Sequence, residues 1–305
     1  MDVIAEVERN GLIESRHRAV AVRVGPLGSV EWAWGDPETV IFPRSTNKPF
    51  QALGMLEAGL GLDGRLLALA SSSHSAEAFH LAGVREILTL AKLDESALQT
   101  PPSYPLDPAE HAAVLRAHEN REPIRMDCSG KHAAMLLTCQ VNGWPVTNYL
   151  DADHPVQQVI RGVFESYVGV PPVVGVDGCG APLFAARLED LARGIGRLML
   201  ADGAAARLRD ALITHPEYVS GTRRGELPFM QQVPGAVFKT GAEAVFVAGL
   251  ADGTGIAMKM EDGSERALYI AMARVLELAG VEVEVPRTVP VLGGGRPVGA
   301  VRLAI

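Results

Sequence analysis

Strand-like segments at the two ends of the chain enclose a mostly helical middle, and this order constrains the fold more than any other feature of the sequence. The strand-like segments lie in residues 1–43 and 236–305, and the helical patterns lie in residues 44–235. Strands at opposite ends of a chain commonly meet in one antiparallel sheet, against which the helices pack. The sequence therefore predicts an α+β fold in which a single domain spans residues 1–305.

Turn residues and apolar spacing predict where individual elements begin and end. The pair Asn10-Gly11 between two strand-like runs predicts a hairpin with a type I′ turn. The sequence Asp107-Pro108-Ala109-Glu110 is typical of a capped helix start. Two short apolar runs, residues 66–70 and 173–176, are interpreted as short buried strands.

The composition narrows the classes of partner and the compartment. The 305 residues carry a formal net charge of −8, which argues against nucleic acid or an anionic membrane surface as a partner. No apolar run approaches the roughly 18 residues that a membrane-spanning helix needs, and the first residues show no secretion signal. The 3 cysteines do not suggest a disulfide framework in a chain of this size. We therefore expect a protein of the reducing cytoplasm.

A Ser-x-x-Lys pair stands where the N-terminal strands give way to the helical region. Pro49 is tolerated in the first turn of a helix but not in its interior, so we expect the helix to begin near Ser45. That start places the Ser45 hydroxyl among unpaired backbone N–H groups, with Lys48 on the same face. A serine beside a lysine in a dry pocket can act as a nucleophile without histidine. The plainer interpretation is a helix-capping serine and a solvated lysine, and the pair alone does not decide between them.

Two further polar motifs could complete such a site. Lys239-Thr240-Gly241 ends a predicted strand, where glycine lets a ligand approach the backbone; a surface lysine before a turn is the alternative. Together with the upstream Ser45–Lys48 pair, this motif matches the order found in serine β-lactamases and penicillin-binding proteins. The run of residues 71–75 contains four serines, of which Ser73 is our choice for a second functional serine. Ser75 is the competitor, and helix capping accounts for one or two of the hydroxyls.

The three cysteines differ in their surroundings. Cys128 and Cys179 each stand beside a glycine-containing loop, and they could converge on a soft metal ion such as zinc. The spacing between Cys128 and Lys131 is not a usual zinc signature, so two buried thiols remain the alternative. Cys139 lies within an apolar helical pattern and is most simply a core residue.

Five motifs occur together and in order along the chain. They are Arg44-Ser45-x-x-Lys48-Pro49-x-Gln51, Ser73-His74, Cys128-Ser129-Gly130-Lys131-His132, Asp177-Gly178-Cys179-Gly180 and Lys239-Thr240-Gly241-Ala242-Glu243. As a set they resemble the asparaginase II family of rhizobial type, also called class 3 L-asparaginases. The resemblance runs from about residue 5 to the C-terminus. It implies a fold like that of serine β-lactamases and the related glutaminases.

The resemblance also implies roles for individual residues. The two catalytic Ser–Lys tandems would be Ser45 with Lys48 and Ser73 with Lys239. The ligands of a zinc ion beside the substrate would be Cys128, Lys131 and Cys179. The substrate-binding residues would be Arg44, Gly130, His132 and Asp177, of which Asp177 suits the α-amino group of the substrate. Members of the family are cytoplasmic homodimers, so we expect a homodimer here as well.

These roles predict hydrolysis of L-asparagine to L-aspartate and ammonia through an acyl-enzyme. Ser45 would attack the side-chain amide with Lys48 as its base, while Ser73, tuned by Lys239, would relay a proton. Zinc would orient the substrate rather than activate water, because a serine already supplies the nucleophile. One alternative is a glutaminase or another serine hydrolase of the same fold. The other is a module without catalytic activity that binds an amino acid or a metal ion.

Overall fold

The computed structural model describes residues 1–304, and these divide into two compact units. Unit 1 comprises Met1–Thr46, Arg187–Met199 and the chain from Pro228 onward. Unit 2 comprises Asn47–Ala186 and Leu200–Leu227. Unit 1 thus unites the two ends of the chain, and unit 2 contains most of its middle.

Strands dominate the ends of the chain and helices dominate the middle, as the sequence predicts. The strands of residues 1–304 are β1 (Asp2–Arg9), β2 (Leu12–Val24), β3 (Val30–Trp34), β4 (Val40–Ile41), β5 (Val174–Val176), β6 (Pro182–Phe184), β7 (Ala186–Arg187), β8 (Val237–Gly241), β9 (Val245–Gly249), β10 (Gly255–Met260), β11 (Val289–Gly293) and β12 (Arg296–Leu303). The α-helices of the same residues are α1 (Lys48–Glu57), α2 (Gly64–Ala70), α3 (Ala78–Leu90), α4 (Pro108–Arg116), α5 (Ser129–Asn142), α6 (Pro155–Tyr167), α7 (Leu188–Leu200), α8 (Ala204–Thr214), α9 (Pro216–Val219), α10 (Leu227–Gln232) and α11 (Leu268–Leu278). None of the helices described is long and apolar enough to cross a membrane.

An antiparallel sheet of eight strands is the main element of unit 1. Its strand order is β11-β12-β1-β2-β10-β9-β8, and β3 also pairs with β2. The C-terminal strand β12 pairs directly with the N-terminal strand β1, so that Ala5 lies opposite Leu303. The predicted α+β fold, with one antiparallel sheet built from both ends of the chain, is therefore confirmed.

The hairpin of β1 and β2 shows how local sequence specifies part of this sheet. Asn10 and Gly11 have φ angles of 47° and 84°, the left-handed conformation that both central residues of a type I′ turn require. Glycine adopts this conformation freely, and asparagine adopts it more readily than most residues. The predicted turn is confirmed.

The sheet and helix α11 share the apolar core of unit 1. The core includes Phe238 and Phe246 from neighbouring strands, whose rings stack with their centroids 5.9 Å apart. Leu268 and Leu276 of α11 are fully buried in the same cluster. Removal of this apolar surface from water is the main favourable contribution to the folding of unit 1.

Glycines allow close helix packing in unit 2. A Cβ atom at Gly54 of α1 would lie 2.8 Å from the Ile160 Cα of α6. A Cβ atom at Gly130, in the first turn of α5, would lie 2.5 Å from the carbonyl oxygen of Leu69 in α2. Both separations are too short for a real Cβ contact, so each position requires glycine. Helix α5 therefore begins directly against the C-terminal end of α2.

Two predicted strands need correction. Residues 66–70 are helical and belong to α2, because a short run that is apolar on every side has no period that distinguishes a strand from a helix. Residues 174–176 do form a strand, β5, but Val174 and Val176 are exposed rather than buried. Strand β5 pairs with β6 in a small sheet of two strands instead of joining the main sheet.

Candidate active site

Ser45 lies in a helical turn that precedes α1. Residues Arg44–Asn47 form a 3-10 turn, and the α-helix begins at Lys48. Helical structure thus begins where the sequence predicts, but Ser45 precedes the α-helix by a turn rather than capping it. The N–H and the hydroxyl of Thr46 both donate to the Pro43 carbonyl, at 3.2 and 2.7 Å, and close the turn.

Backbone strain marks the same turn. Arg44 has a φ angle of 51°, in the left-handed region that side chains with a Cβ atom rarely adopt. Such a conformation costs of order 1–3 kcal/mol and is characteristic of functional sites. Ser45, the next residue, keeps 9% of its surface exposed. The strain supports the interpretation that this turn has a function beyond starting a helix.

Within unit 1, the strand end that carries Lys239 lies against this turn. A Cβ atom at Gly241 would lie 3.0 Å from the Ser45 nitrogen and 2.9 Å from the Pro43 carbonyl oxygen, so glycine is required there. Lys239 is buried, and its Nζ donates to the Thr240 carbonyl at 2.9 Å. The fold therefore brings two of the sequence motifs together in unit 1.

In unit 2, a buried lysine contacts three oxygen-bearing groups; we call Lys48, Ser72, Ser73 and Asp127 the Lys48 region. The Lys48 Nζ lies 2.9 Å from the Ser73 Oγ and also donates to the Ser72 carbonyl. The Asp127 Oδ2 lies 3.6 Å from the same nitrogen. Lys48 is only 1% exposed. These oxygens replace the water that would otherwise solvate its ammonium group.

The four serines of the serine-rich run differ in their contacts. The Ser73 hydroxyl contacts Lys48. The Ser75 hydroxyl donates to a backbone carbonyl at 2.9 Å, which is a structural contact. The hydroxyls of Ser71 and Ser72 are buried and have no hydrogen-bond partner among residues 1–304. This geometry supports Ser73 as the functional serine of the run.

A second buried lysine lies among sulfur atoms; we call Lys131, Cys128, Cys179 and His132 the Lys131 region. The Lys131 Nζ lies 3.2 Å from the Cys179 Sγ, and Cys128 packs in one cluster with Cys179. The Asp177 Oδ2 lies 4.0 Å from the Cys179 Sγ. The structure thus brings the three predicted zinc ligands together, with the predicted substrate-binding Asp177 beside them.

Hydrogen bonds and nearby charges shift the pKa values of the two cysteines of the Lys131 region in opposite directions. A hydrogen bond from the Cys128 thiol lowers the pKa of Cys179, and the nearby Lys131 acts in the same direction. The same hydrogen bond, together with burial, raises the pKa of Cys128. Burial alone would lower the pKa of Lys131, but Cys179, Cys128 and Asp177 together raise it. These directions favour a thiolate at Cys179, a thiol at Cys128 and an ammonium at Lys131.

The donor atoms of the Lys131 region fit a soft metal ion. Two sulfurs and an amine nitrogen are ligands that suit zinc. Binding would require the Cys128 thiol and the Lys131 ammonium to release their protons. In the part of the chain that the structure describes, no group of three or more His, Cys, Asp or Glu side chains could hold a metal ion. A zinc site here therefore depends on the lysine as its third donor.

His132 connects the Lys131 region to a buried tyrosine. Its Nδ1 lies 2.9 Å from the Tyr149 hydroxyl, and that hydroxyl accepts the Gln99 N–H at 3.0 Å. Burial lowers the pKa of His132, and the nearby Cys179 sulfur opposes this shift. Burial also raises the pKa of Tyr149 to about 12. Both shifts favour the neutral form of each ring at neutral pH.

The four predicted substrate-binding residues lie in different surroundings. Asp177 and Arg44 are partly exposed. Gly130 and His132 are buried. The close packing of Gly130 against α2 is by itself a sufficient reason for glycine at that position, so its presence is not evidence of substrate binding. Substrate binding by these four residues stays a prediction.

Sequence reasoning missed Asp127 and the hydrogen bond between His74 and Ser129. Asp127 lies 3.6 Å from the Lys48 Nζ, and the His74 Nε2 lies 2.8 Å from the Ser129 Oγ. Asp127 and Ser129 are the two neighbours of Cys128 in the sequence. The available signal was therefore the concentration of polar residues around that cysteine.

Comparison with known proteins gives this site its context. A search of curated protein sequences finds no significant match. Among solved structures, the chain is similar to a β-lactamase from Mycobacterium bovis, with 14% identity, a TM-score of 0.49 and coverage of 85% of this chain and 94% of that chain. It is also similar to a Bacillus glutaminase, with 13% identity, a TM-score of 0.39 and coverage of 87% of this chain and 92% of that chain. The profile of the L-asparaginase II family matches residues 5–303, which is nearly the whole chain. The chain therefore belongs to the L-asparaginase II family, a family of asparaginase-type amidohydrolases.

Proposed function

We propose that this protein hydrolyses L-asparagine to L-aspartate and ammonia. The observation that carries the proposal is the buried Ser–Lys pair of unit 2, in which the Lys48 Nζ lies 2.9 Å from the Ser73 Oγ. A lysine held against a serine hydroxyl away from water can move protons to and from a serine nucleophile. Family membership supplies the reaction class, which is the hydrolysis of an amide.

Ser45 is the proposed nucleophile. Its Oγ forms a bond to the carbon of the substrate's side-chain amide, and its proton passes to Lys48. The tetrahedral intermediate then breaks its C–N bond, and a proton delivered through Ser73 lets the nitrogen leave as ammonia. Water attacks the resulting ester, which releases L-aspartate and restores the Ser45 hydroxyl.

Lys48 can accept the proton of Ser45 only after its own ammonium group has released a proton. As placed, its Nζ donates to the Ser72 carbonyl and to the Ser73 hydroxyl, and the Asp127 carboxylate lies 3.6 Å away. A hydroxyl both donates and accepts hydrogen bonds, so Ser73 can pass a proton from Lys48 towards the leaving nitrogen. Lys239 is proposed to tune this serine as its partner in the second tandem.

Backbone N–H groups at the Ser45 turn are proposed to bind the oxyanion of the tetrahedral intermediate. The approach of Gly241 to the Ser45 nitrogen leaves no room for a side chain on that side. In other enzymes, removal of one oxyanion donor costs roughly 3–4 kcal/mol of transition-state stabilisation.

We propose that charged side chains of the protein bind the α-amino group and the α-carboxylate of the substrate. Asp177 suits the α-amino group, and the guanidinium of Arg44 suits the α-carboxylate. A zinc ion held by Cys128, Lys131 and Cys179 would act as a Lewis acid that orients the polar groups of the substrate. Asp177 is already near these ligands, because its Oδ2 lies 4.0 Å from the Cys179 Sγ.

We also propose that the protein is a cytoplasmic homodimer, as the resemblance to its family implies. Light scattering on the eluted peak of a size-exclusion column would measure the mass in solution. A homodimer should give twice the chain mass of 32.4 kDa.

An ammonia-release assay on the full chain tests the proposed reaction. L-asparagine, L-glutamine and the chromogenic β-lactam nitrocefin would be compared, each with and without a chelator. We expect ammonia from asparagine at a kcat/KM at least about tenfold above that for glutamine, and no turnover of nitrocefin. Preferred hydrolysis of glutamine or of the β-lactam would contradict the proposal.

Ser45→Ala tests the nucleophile. We expect the loss of kcat to be on the order of 10³-fold or more, because no acyl-enzyme can form. Ser71→Ala is the matched control, since it removes a buried hydroxyl that has no partner among the described residues. Substantial turnover by folded Ser45→Ala would contradict the proposal that Ser45 is the nucleophile.

A further inference from the structure

We infer that His74 is a positioning residue for the Lys48 region, whose neutral ring fastens the Ser73 segment to the first turn of α5. The inference deepens the proposed function and rests on it, because it concerns the serine that Lys48 contacts. His74 directly follows Ser73 and is fully buried. Its importance comes from the hydrogen bonds that it makes at three separate atoms.

The hydrogen bonds of the ring admit a single tautomer. The Ala76 N–H donates to the His74 Nδ1 at 3.1 Å, so this nitrogen presents a lone pair. The His74 Nε2 lies 2.8 Å from the Ser129 Oγ. The Ser129 hydroxyl donates its proton to the Ile124 carbonyl at 2.7 Å. Ser129 must therefore accept a hydrogen bond from His74, which places the ring proton on Nε2.

The surroundings of the ring oppose a second proton. Burial lowers the pKa of His74 well below its ordinary value, and the nearby His80 and Lys48 act in the same direction, while Asp127 opposes them. The His80 ring stacks on the His74 ring with a centroid separation of 5.2 Å. A proton on Nδ1 would also break the bond from Ala76. The ring is therefore a fixed hydrogen-bond donor, and it does not carry protons during turnover.

The backbone and the ring of His74 hold the same loop. The His74 N–H donates to the Asp127 carbonyl at 3.0 Å, and the ring donates to Ser129 two residues later. The Ser73 hydroxyl and the Asp127 carboxylate both lie near the Lys48 Nζ, at 2.9 and 3.6 Å. His74 thus sets the separation of the two groups between which Lys48 is placed. A misplacement of about 1 Å can cost on the order of 10²-fold in rate.

Two substitutions at position 74 distinguish the role of the Nε2 atom from that of the Nδ1 atom. His74→Gln keeps a donor near the Nε2 position, whereas His74→Asn keeps only an acceptor near the Nδ1 position. We expect His74→Asn to lower kcat on asparagine on the order of 10- to 100-fold with little change in KM. His74→Gln should recover most of that loss, and the pH profile of kcat should keep its shape in both variants.

Ser129→Ala tests the other end of the same hydrogen bond. It should resemble His74→Asn, and the double variant should be no worse than the more impaired single variant, because both changes remove one interaction. Additive losses, equal kcat values for the Asn and Gln variants, or a displaced limb of the pH profile would each overturn the inference.

His154→Gln is the matched control for the loss of a buried histidine. His154 caps α6 with its Nδ1 and contacts the Pro145 carbonyl with its Nε2 at 2.9 Å. Its ring is as thoroughly hydrogen-bonded as that of His74, but it lies outside the proposed site. The control should lower thermal stability and leave kcat within about twofold of the parent. A kcat loss equal to that of His74→Asn would overturn the specific role of His74.

The tautomer provides a readout that does not need catalysis. Nitrogen-15 NMR of the histidine rings in the full chain, assigned with the His74→Gln variant, should show a ring protonated at Nε2 at neutral pH. A ring protonated at Nδ1, or charged at neutral pH, would overturn the inference. If the expected tautomer were found in a protein that hydrolyses no amide, the proposed function would fail while the hydrogen-bond assignment stood.

Discussion

The Lys48 region and the Lys131 region each bury a lysine, but they surround it with different atoms. Both lysines are 1% exposed. Lys48 contacts a hydroxyl and a carbonyl and lies near a carboxylate. Lys131 instead contacts the Cys179 sulfur at 3.2 Å. Hydroxyl and carboxylate oxygens exchange protons readily, whereas thiolate sulfurs bind soft metal ions. The same side chain is therefore suited to two different tasks, and its neighbours decide which.

The two regions are joined by adjacent residues. The Cys128 Sγ lies 3.6 Å from the Asp127 Oδ2, and the same carboxylate oxygen lies 3.6 Å from the Lys48 Nζ. A substitution in one region can therefore change the contacts of the other region through Asp127. For this reason, each variant below needs both a kinetic measurement and a zinc determination.

Replacement of the two lysines should give the largest and most distinct effects. We expect Lys48→Met to lower kcat on asparagine by about 10²- to 10⁴-fold, the usual contribution of a general acid or base, and to leave zinc content unchanged. Methionine fills a similar volume without a charge. Lys131→Met should lose zinc, and its kcat should fall less than that of Lys48→Met. If both variants lost zinc and activity alike, the distinction between the regions would be wrong.

Cys128→Ser should separate substrate binding from the chemical step. The substitution removes one sulfur of the proposed zinc site, so we expect lower zinc content by elemental analysis and a KM raised about tenfold, with kcat changed less than about threefold. Removal of zinc by a chelator should have the same effect on the parent enzyme. A collapse of kcat at unchanged KM would show that the proposed zinc ligands act in the chemical step.

The buried ring of His80 should make stability depend on pH. Burial lowers the pKa of His80 from 6.5 to about 4. Between these values the unfolded chain binds more protons than the folded chain, so the free energy of unfolding falls as the pH drops from 6.5 towards 4. The full shift corresponds to about 3 kcal/mol.

Denaturant unfolding at neutral and acidic pH would measure this dependence. His80→Gln should lose less stability than the parent between the two conditions, because glutamine takes up no proton. His118→Asn is a suitable control, since His118 is exposed and asparagine tolerates its φ angle of 55°. An unchanged pH dependence in His80→Gln would contradict the assignment.

Cys139→Ala should have the smallest effect of these substitutions. Cys139 is fully buried in α5, and burial raises its pKa to about 11, so it is an inert thiol of the core. We expect a loss of about 1 kcal/mol in the free energy of unfolding, with zinc content and kinetics unchanged. Loss of zinc from this variant would mean that the proposed zinc site extends beyond the Lys131 region.

Local rules explain the parts of the fold and site that the sequence predicts. Asn10-Gly11 specifies its turn because few residues accept the required backbone angles. Pro49 marks the start of helical structure near Ser45 because proline is excluded from a helix interior. The short run 66–70 is predicted to be a strand but forms a helix, because a run that is apolar on every side has no period that distinguishes the two.

The sequence by itself determined the α+β order of the elements, the family and the identity of the polar motifs. Only the tertiary structure decided which of these groups meet. It places the hydroxyl of Ser73 against Lys48, pairs Lys48 with Asp127 and joins His74 to Ser129. The physical reason is that a buried charge or ring must find its partners in space, and those partners come from segments that no local spacing connects.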